Sequence, residues 1–141
     1  MEKVLLVDDE KEFLEVMAER MEARDMNVTT TTSPKDALEM AKEGSFDAII
    51  LDLMMPEMDG LETLKELKKK NPDLQVILLT GHATVQKGVE AMKLGATDLL
   101  EKPADLKVLT EKIKKAHVKK MVLVQKKAEE KVRHILAVKG W

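Results

Sequence analysis

Three short apolar runs constrain this chain more than anything else in it. Val4-Leu5-Leu6-Val7, Ala48-Ile49-Ile50-Leu51 and Val76-Ile77-Leu78-Leu79 are each unbroken by a polar residue. A strand turns successive side chains to opposite faces, so an unbroken run needs cover on both sides. A parallel sheet sandwiched between helices supplies it. The intervening segments carry the helical period. Leu14, Met17, Ala18 and Met21 recur at i, i+3, i+4 and i+7. Ser33-Pro34 reads as an N-cap followed by proline in the first helical position, with Asp36 in the first turn. Gly44 sits where a left-handed C-cap belongs. Leu61, Leu64 and Leu67 line a third helix that Asn71-Pro72 stops, and Val85, Val89 and Met92 line a fourth closed by Gly95. Residues 28–32, Thr-rich and β-branched, form a weaker edge strand; residues 97–100 form the last and shortest. The order βαβαβαβαβα predicts an α/β fold: a five-stranded parallel sheet, (βα)5, doubly wound by right-handed crossovers.

Aromatic residues make up only 2% of the chain, so Leu, Val, Ile, Met and Ala must build the core, with the ten methionines as filler. The absence of cysteine excludes disulfides, thiolate metal sites and cysteine nucleophiles. No apolar run approaches the roughly 18 residues that span a bilayer. No secretory leader pattern opens the sequence. A cytoplasmic location without membrane contact is expected. The net charge of −2 is unevenly spread. From Ala104 onward there are 11 Lys and Arg against 4 Asp and Glu. An acidic body therefore carries a basic tail. That basic charge is dispersed and lacks base-stacking aromatics, so no nucleic-acid binding is expected.

Polar residues fall at the ends of the strands. Asp8 and Asp9 follow the first strand, Asp52 the third, Thr80 the fourth and Lys102 the fifth. In a parallel sheet all carboxyl ends share one edge, where ligands bind. Taken singly, each residue reads as a turn, a cap or a surface charge. Together they predict one pocket. Three carboxylates there need a counter-charge beyond Lys102, and oxygen-only ligands favour Mg²⁺. Phosphate can then approach Asp52, whose carboxylate can attack a phosphoryl donor in line, and the Thr80 hydroxyl can donate to a phosphoryl oxygen.

At this point the residues resemble a known family. Leu6-Val7-Asp8-Asp9-Glu10, Leu51-Asp52-Leu53-Met54-Met55-Pro56 with Asp59-Gly60, Leu79-Thr80-Gly81, Gly95-Ala96 and Lys102-Pro103 look like the response-regulator receiver pattern, in order and spacing, over about residues 1–117. The resemblance implies the strand order 2-1-3-4-5. It implies Asp52 as phosphoacceptor. Mg²⁺ would be held by the side chains of Asp9 and Asp52 and the carbonyl of Met54, with Asp8 acting through water. Thr80 and Lys102 would contact the phosphoryl group, and a cis Lys102-Pro103 bond would aim the lysine. The donor would be a phosphohistidine on a sensor histidine kinase, and the chain would catalyse only its own phosphorylation and dephosphorylation. One position departs from the pattern. The family usually carries an aromatic residue three before the lysine, and here that residue is Leu99. Phe13 and Phe46 lie elsewhere in the sequence. A dehalogenase-type phosphatase would need a second aspartate two residues after Asp52, where this chain has Met54.

Other features are read as unremarkable. His82, His117 and His134 are not spaced as a metal set and are expected to be solvated, and Trp141 to be a frayed end. The helical pattern runs on to Gly140 without Gly or Pro. Leu106, Leu109, Ile113 and Ala116 would cover the sheet; Met121, Val124, Ala128, Val132 and Ile135 have no sheet left to cover. The chain therefore divides into a receiver-like unit, residues 1–117, and a helical extension, residues 118–141. One helix over residues 104–138 is expected to mediate homodimer formation.

Overall fold

A computed structural model describes residues 1–43, 45–53, 55, 59–81 and 84–138. The elements are β1 (Lys3–Val7), α1 (Lys11–Glu22), β2 (Asn27–Thr31), α2 (Pro34–Glu43), β3 (Ala48–Asp52), α3 (Gly60–Lys70), β4 (Val76–Thr80), α4 (Val85–Lys93), β5 (Asp98–Glu101) and α5 (Leu106–Val138). All strand pairs are parallel, in the order β2-β1-β3-β4-β5. The chain starts inside the sheet, moves out to β2, then returns past β1 and builds towards β5. That reversal leaves a crevice beyond the carboxyl ends of β1 and β3. Gly44, Met54, Pro56, His82 and Trp141 lie outside the described residues, and with them the expected C-cap, the carbonyl ligand and the frayed end.

Alternation along the strands divides the core. Leu5, Val7, Ile49, Leu51, Val76 and Leu78 meet Ala37 of α2, Leu64 and Leu67 of α3 and Ala91 of α4. Val4, Leu6, Ala48, Ile50, Ile77 and Leu79 meet Leu14, Met17 and Met21 of α1 and Leu109, Ile113 and Ala116 of α5. Burying each Val, Leu or Ile is worth roughly 1.5–3 kcal/mol, so both faces of the sheet contribute heavily. Polar caps set the helix starts. Ser33 Oγ accepts the Asp36 N–H at 3.2 Å, Asp59 accepts from Leu61 and Glu62, and Thr84 accepts from Lys87. Gly95, at φ +96°, ends α4: its N–H reaches the Met92 carbonyl, and the Ala96 N–H reaches that of Ala91.

Two expectations need correction. Val85, Val89 and Met92 do not line a core-facing side of α4; they are 86%, 48% and 53% exposed. The helix turns Gly88 and Ala91 to the sheet instead, because it sits close. A Cβ on Gly88 would lie 3.3 Å from Leu99 Cδ2. Small residues at that spacing, not large ones, mark the buried side. The methionines are also only partly filler: Met17, Met21, Met26 and Met55 are buried, whereas Met92 and Met121 are exposed.

The last helix is continuous over 33 residues, roughly 50 Å at 1.5 Å per residue. Leu109, Ile113 and Ala116 are buried; Met121, Val124, Val132 and Ile135 are each at least 44% exposed. The change occurs at an anchor beneath the sheet. His117 Nδ1 lies 2.6 Å from the buried Asp47 carboxylate, which also accepts the Lys3 N–H at 2.8 Å. Lys120 stands 3.7 Å from Asp47 and donates to Ser45 Oγ at 3.0 Å. Burial pushes the Asp47 carboxyl up, but the Lys3 and His117 hydrogen bonds and the Lys120 charge outweigh it and leave it below its ordinary value. His117 is thus an anchor and not the solvated residue expected from sequence. Farther along, Lys127 pairs with Asp73 of the α3–β4 turn.

Candidate functional site

Strand alternation carries past the strand ends. Val4 and Leu6 face α1 and α5, and Asp8 is next in that series. Ala48 and Ile50 lead in the same way to Asp52, and Leu100 leads to Lys102. Three groups distant in sequence therefore reach one side of the crevice. Asp8 and Asp52 are 2% and 4% exposed. Lys102 Nζ donates to Asp8 Oδ2 at 2.6 Å and lies 3.7 Å from both Asp52 Oδ2 and Glu10 Oε1. The lysine is fixed from behind as well: its N–H donates to the Thr80 carbonyl at 2.7 Å, and the Lys102-Pro103 bond is cis, as expected. Thr80 is fully buried at the end of β4.

The electrostatics are unbalanced. Burial pushes the Asp8 carboxyl above its ordinary value; the hydrogen bonds from Lys102 and the Glu10 N–H, and the Lys102 charge, oppose this without cancelling it. Burial alone would lower Lys102, but the Asp8 hydrogen bond and the charges of Asp8, Asp52 and Glu10 raise it. The Lys102 shift shows an ammonium held by several carboxylates, and the Asp8 shift shows a carboxylate whose burial one ammonium does not offset. Among the described residues, Asp8, Asp9 and Glu10 bring carboxylate oxygens within 4.8 Å of one another. This all-oxygen set suits a hard divalent cation. Asp52 Oδ2 approaches the Lys102 ammonium, at 3.7 Å.

The structure thus brings together Asp8, Asp9, Asp52 and Lys102, with Thr80 at the neighbouring strand end. Met54 is outside the described residues. Two participants were missed. Glu10 was read only as part of a motif, although its place directly after two aspartates puts a third carboxylate at the same turn. Phe13 was dismissed as lying elsewhere, yet Lys102 Nζ sits 4.3 Å from its ring centroid. Its position in the first turn of α1, just after the acidic loop, was the available signal. Leu99 lies apart from these groups, packed against the core cluster under α2, α3 and α4.

Known proteins share this fold and sequence pattern. The family model for the response regulator receiver domain matches residues 4–114. The transcriptional regulatory protein ZraR of Escherichia coli (strain K12) is 38% identical over 113 residues, which cover 80% of this chain and 26% of ZraR. The chain therefore spans about a quarter of the length of that relative. A response regulator receiver domain protein from Clostridium thermocellum superposes with a TM-score of 0.83 at 34% identity, covering 87% of this chain and 99% of that one. A response regulator from Burkholderia pseudomallei, solved with a phosphorylated aspartic acid, a calcium ion and citrate, gives a TM-score of 0.75 at 26% identity over 99% of this chain and 86% of its own. Among the described residues no helix is long and apolar enough to cross a membrane. By sequence and strand order, the chain belongs to the receiver-domain family of two-component response regulators.

Proposed function

We propose that Asp52 accepts a phosphoryl group from a phosphohistidine of a sensor histidine kinase, in the cytoplasm, and that the aspartyl phosphate switches the protein's association. The observation that carries this reading is the buried Asp52 carboxylate, 3.7 Å from an ammonium that a second buried carboxylate already holds. An Asp52 oxygen forms the new O–P bond as the donor's N–P bond breaks and the imidazole leaves with the electron pair. Asp8, Asp9, Glu10, Asp52 and the Met54 carbonyl are the groups that would hold Mg²⁺. When bound, the ion neutralises charge on the transferring oxygens. Lys102 and the Thr80 hydroxyl engage phosphoryl oxygens. The chain catalyses only its own phosphorylation and its own dephosphorylation, in which water takes the phosphoryl group and the Asp52 carboxylate is released.

Incubation with acetyl phosphate, followed by intact-mass measurement, tests the assignment. One phosphoryl adduct is expected with Mg²⁺. None is expected in excess chelator or in Asp52→Asn. An undiminished adduct in either would move the acceptor elsewhere.

The output is proposed to run through residues 118–141 as a homodimerisation element, distinct from the receiver unit of residues 1–117. Val118, Met121, Ala128, Val132 and Ile135 follow a heptad spacing on the exposed helix, while Lys119, Lys126 and Lys127 stay in water. Sedimentation should show a concentration-dependent dimer for the full chain and a monomer for a chain ending at His117. Identical monomeric behaviour of the two would leave the extension without this role.

A further inference from the structure

We propose that Phe13 is a positioning residue for Lys102, its ring face retaining the ammonium at the crevice when the carboxylates release it. This deepens the reading of Asp52 as the phosphoryl acceptor and rests on it. The ammonium is 4.3 Å from the ring centroid, inside the roughly 6 Å within which the negative face of an aromatic ring attracts a cation. The same nitrogen is held by Asp8 at 2.6 Å and approached by Asp52 and Glu10 at 3.7 Å. Every one of those other partners is a carboxylate. A divalent cation among Asp8, Asp9 and Glu10 would draw on the same oxygens that hold the lysine. A phosphoryl group on Asp52 would replace the oxygen lone pairs that face it. The ring is indifferent to both events, because it has no charge to neutralise and no oxygen to modify.

Lysine needs such a partner. Its ammonium rides on a flexible four-carbon stem and presents three donors in no fixed direction. A π face attracts the charge without using those donors up, so they remain free to turn to phosphoryl oxygens. The backbone behind Lys102 is tied to Thr80, which fixes where the stem starts, and Phe13 fixes where it ends. Phe13 is placed for this by the helix that follows the acidic turn. It stands in the first turn of α1, packs beside the cluster containing Leu14, and lines a small void with Asp8, Asp52 and Leu79. A ring serving only as filler would be replaceable by leucine, since Leu14 next to it already fills the core position at 3% exposure.

Phe13→Leu keeps the apolar bulk and removes the π face. Phosphorylation by acetyl phosphate is expected to slow about three- to tenfold, the scale of a partly desolvated cation–ring contact. Phe13→Tyr should restore it. In a Lys102→Ala background Phe13→Leu should have no further effect. A readout independent of phosphorylation is the nuclear magnetic resonance of the Lys102 ε-methylene protons in the untreated protein. Ring-current displacement is expected in the parent and in Phe13→Tyr, and its loss in Phe13→Leu. Should Phe13→Leu fail to fold, Phe13→Met replaces it in the same comparisons. A parental rate in the face-less variant, or an equal loss with and without Lys102, would make Phe13 structural and overturn the proposal. An adduct surviving in Asp52→Asn would instead sink the acceptor reading beneath it, so the two failures are told apart.

Discussion

Gly60→Ala is expected to destabilise the protein by about 3 kcal/mol or more, enough to lower its melting temperature by roughly 10 °C. A Cβ at that position would lie 2.4 Å from Leu53 Cα, 2.5 Å from the Asp52 carbonyl oxygen and 2.9 Å from the Leu53 carbonyl carbon. All three obstacles are backbone atoms, so no rotamer change relieves them. The approach is close because the Gly60 N–H donates to the Leu53 carbonyl at 2.7 Å, drawing the start of α3 onto the end of β3. Moving that backbone apart moves the segment that carries Asp52, so slower phosphorylation should accompany the lost stability. Gly81→Ala is the control, since nothing lies within 4 Å of a Cβ there. Equal melting of Gly60→Ala and the parent would show that the loop yields freely and that the glycine is dispensable.

Asp8→Asn should raise the stability of the metal-free protein near neutral pH and blunt its response to Mg²⁺. Asp8 is held above its ordinary value, by burial first of all. A carboxyl raised in the fold takes up its proton more readily folded than unfolded. The folded state therefore gains stability as pH falls from the raised value towards the ordinary one, and ionised Asp8 costs stability above that window. Asparagine removes the charge while keeping an oxygen for the Glu10 N–H, which now sits 2.9 Å from Asp8 Oδ1. In the parent, a cation that binds only the folded state at a hundred times its dissociation constant adds about 2.7 kcal/mol. At about 3–4 °C per kcal/mol for a domain of this size, Mg²⁺ should lift the parent's melting temperature by roughly 8–10 °C and the variant's far less. Thermal melts with chelator and with Mg²⁺ decide this. A metal-free variant less stable than the parent would mean that the Lys102–Asp8 bond outweighs the cost of burying the charge.

The sheet was legible because its strands are covered on both faces. Val4 to Val7, Ala48 to Leu51 and Val76 to Leu79 leave no other arrangement for unbroken apolar runs, and Asp8, Asp52 and Lys102 fall at the ends of such runs. The fourth helix was misread because hydrophobicity marks the buried side only where there is room for large residues. Ala91 is buried, and Gly88 lets the helix approach Leu99, through their smallness, and an apolar period cannot report smallness. A different limit hid Phe13 and His117. Each acts through a partner about 70 or more residues distant, Lys102 in one case and Asp47 in the other, and no local pattern encodes such a pairing. Glu10 was visible as a carboxylate, but the turn that folds it back towards Lys102 was not.

The unbroken passage of α5 from the sheet into solvent makes residues 118–138 a stiff lever pivoting on Asp47. From His117 to Val138 the arm measures roughly 30 Å at 1.5 Å per residue. Beyond the anchor it is linked through the pair between Asp73 and the largely exposed Lys127, and an exposed pair of that kind resists with no more than about 1 kcal/mol. A tilt of about 10° at the pivot carries the tip some 5 Å sideways. Sub-ångström repacking beside the sheet is therefore magnified at the far end into a lateral displacement of several ångströms.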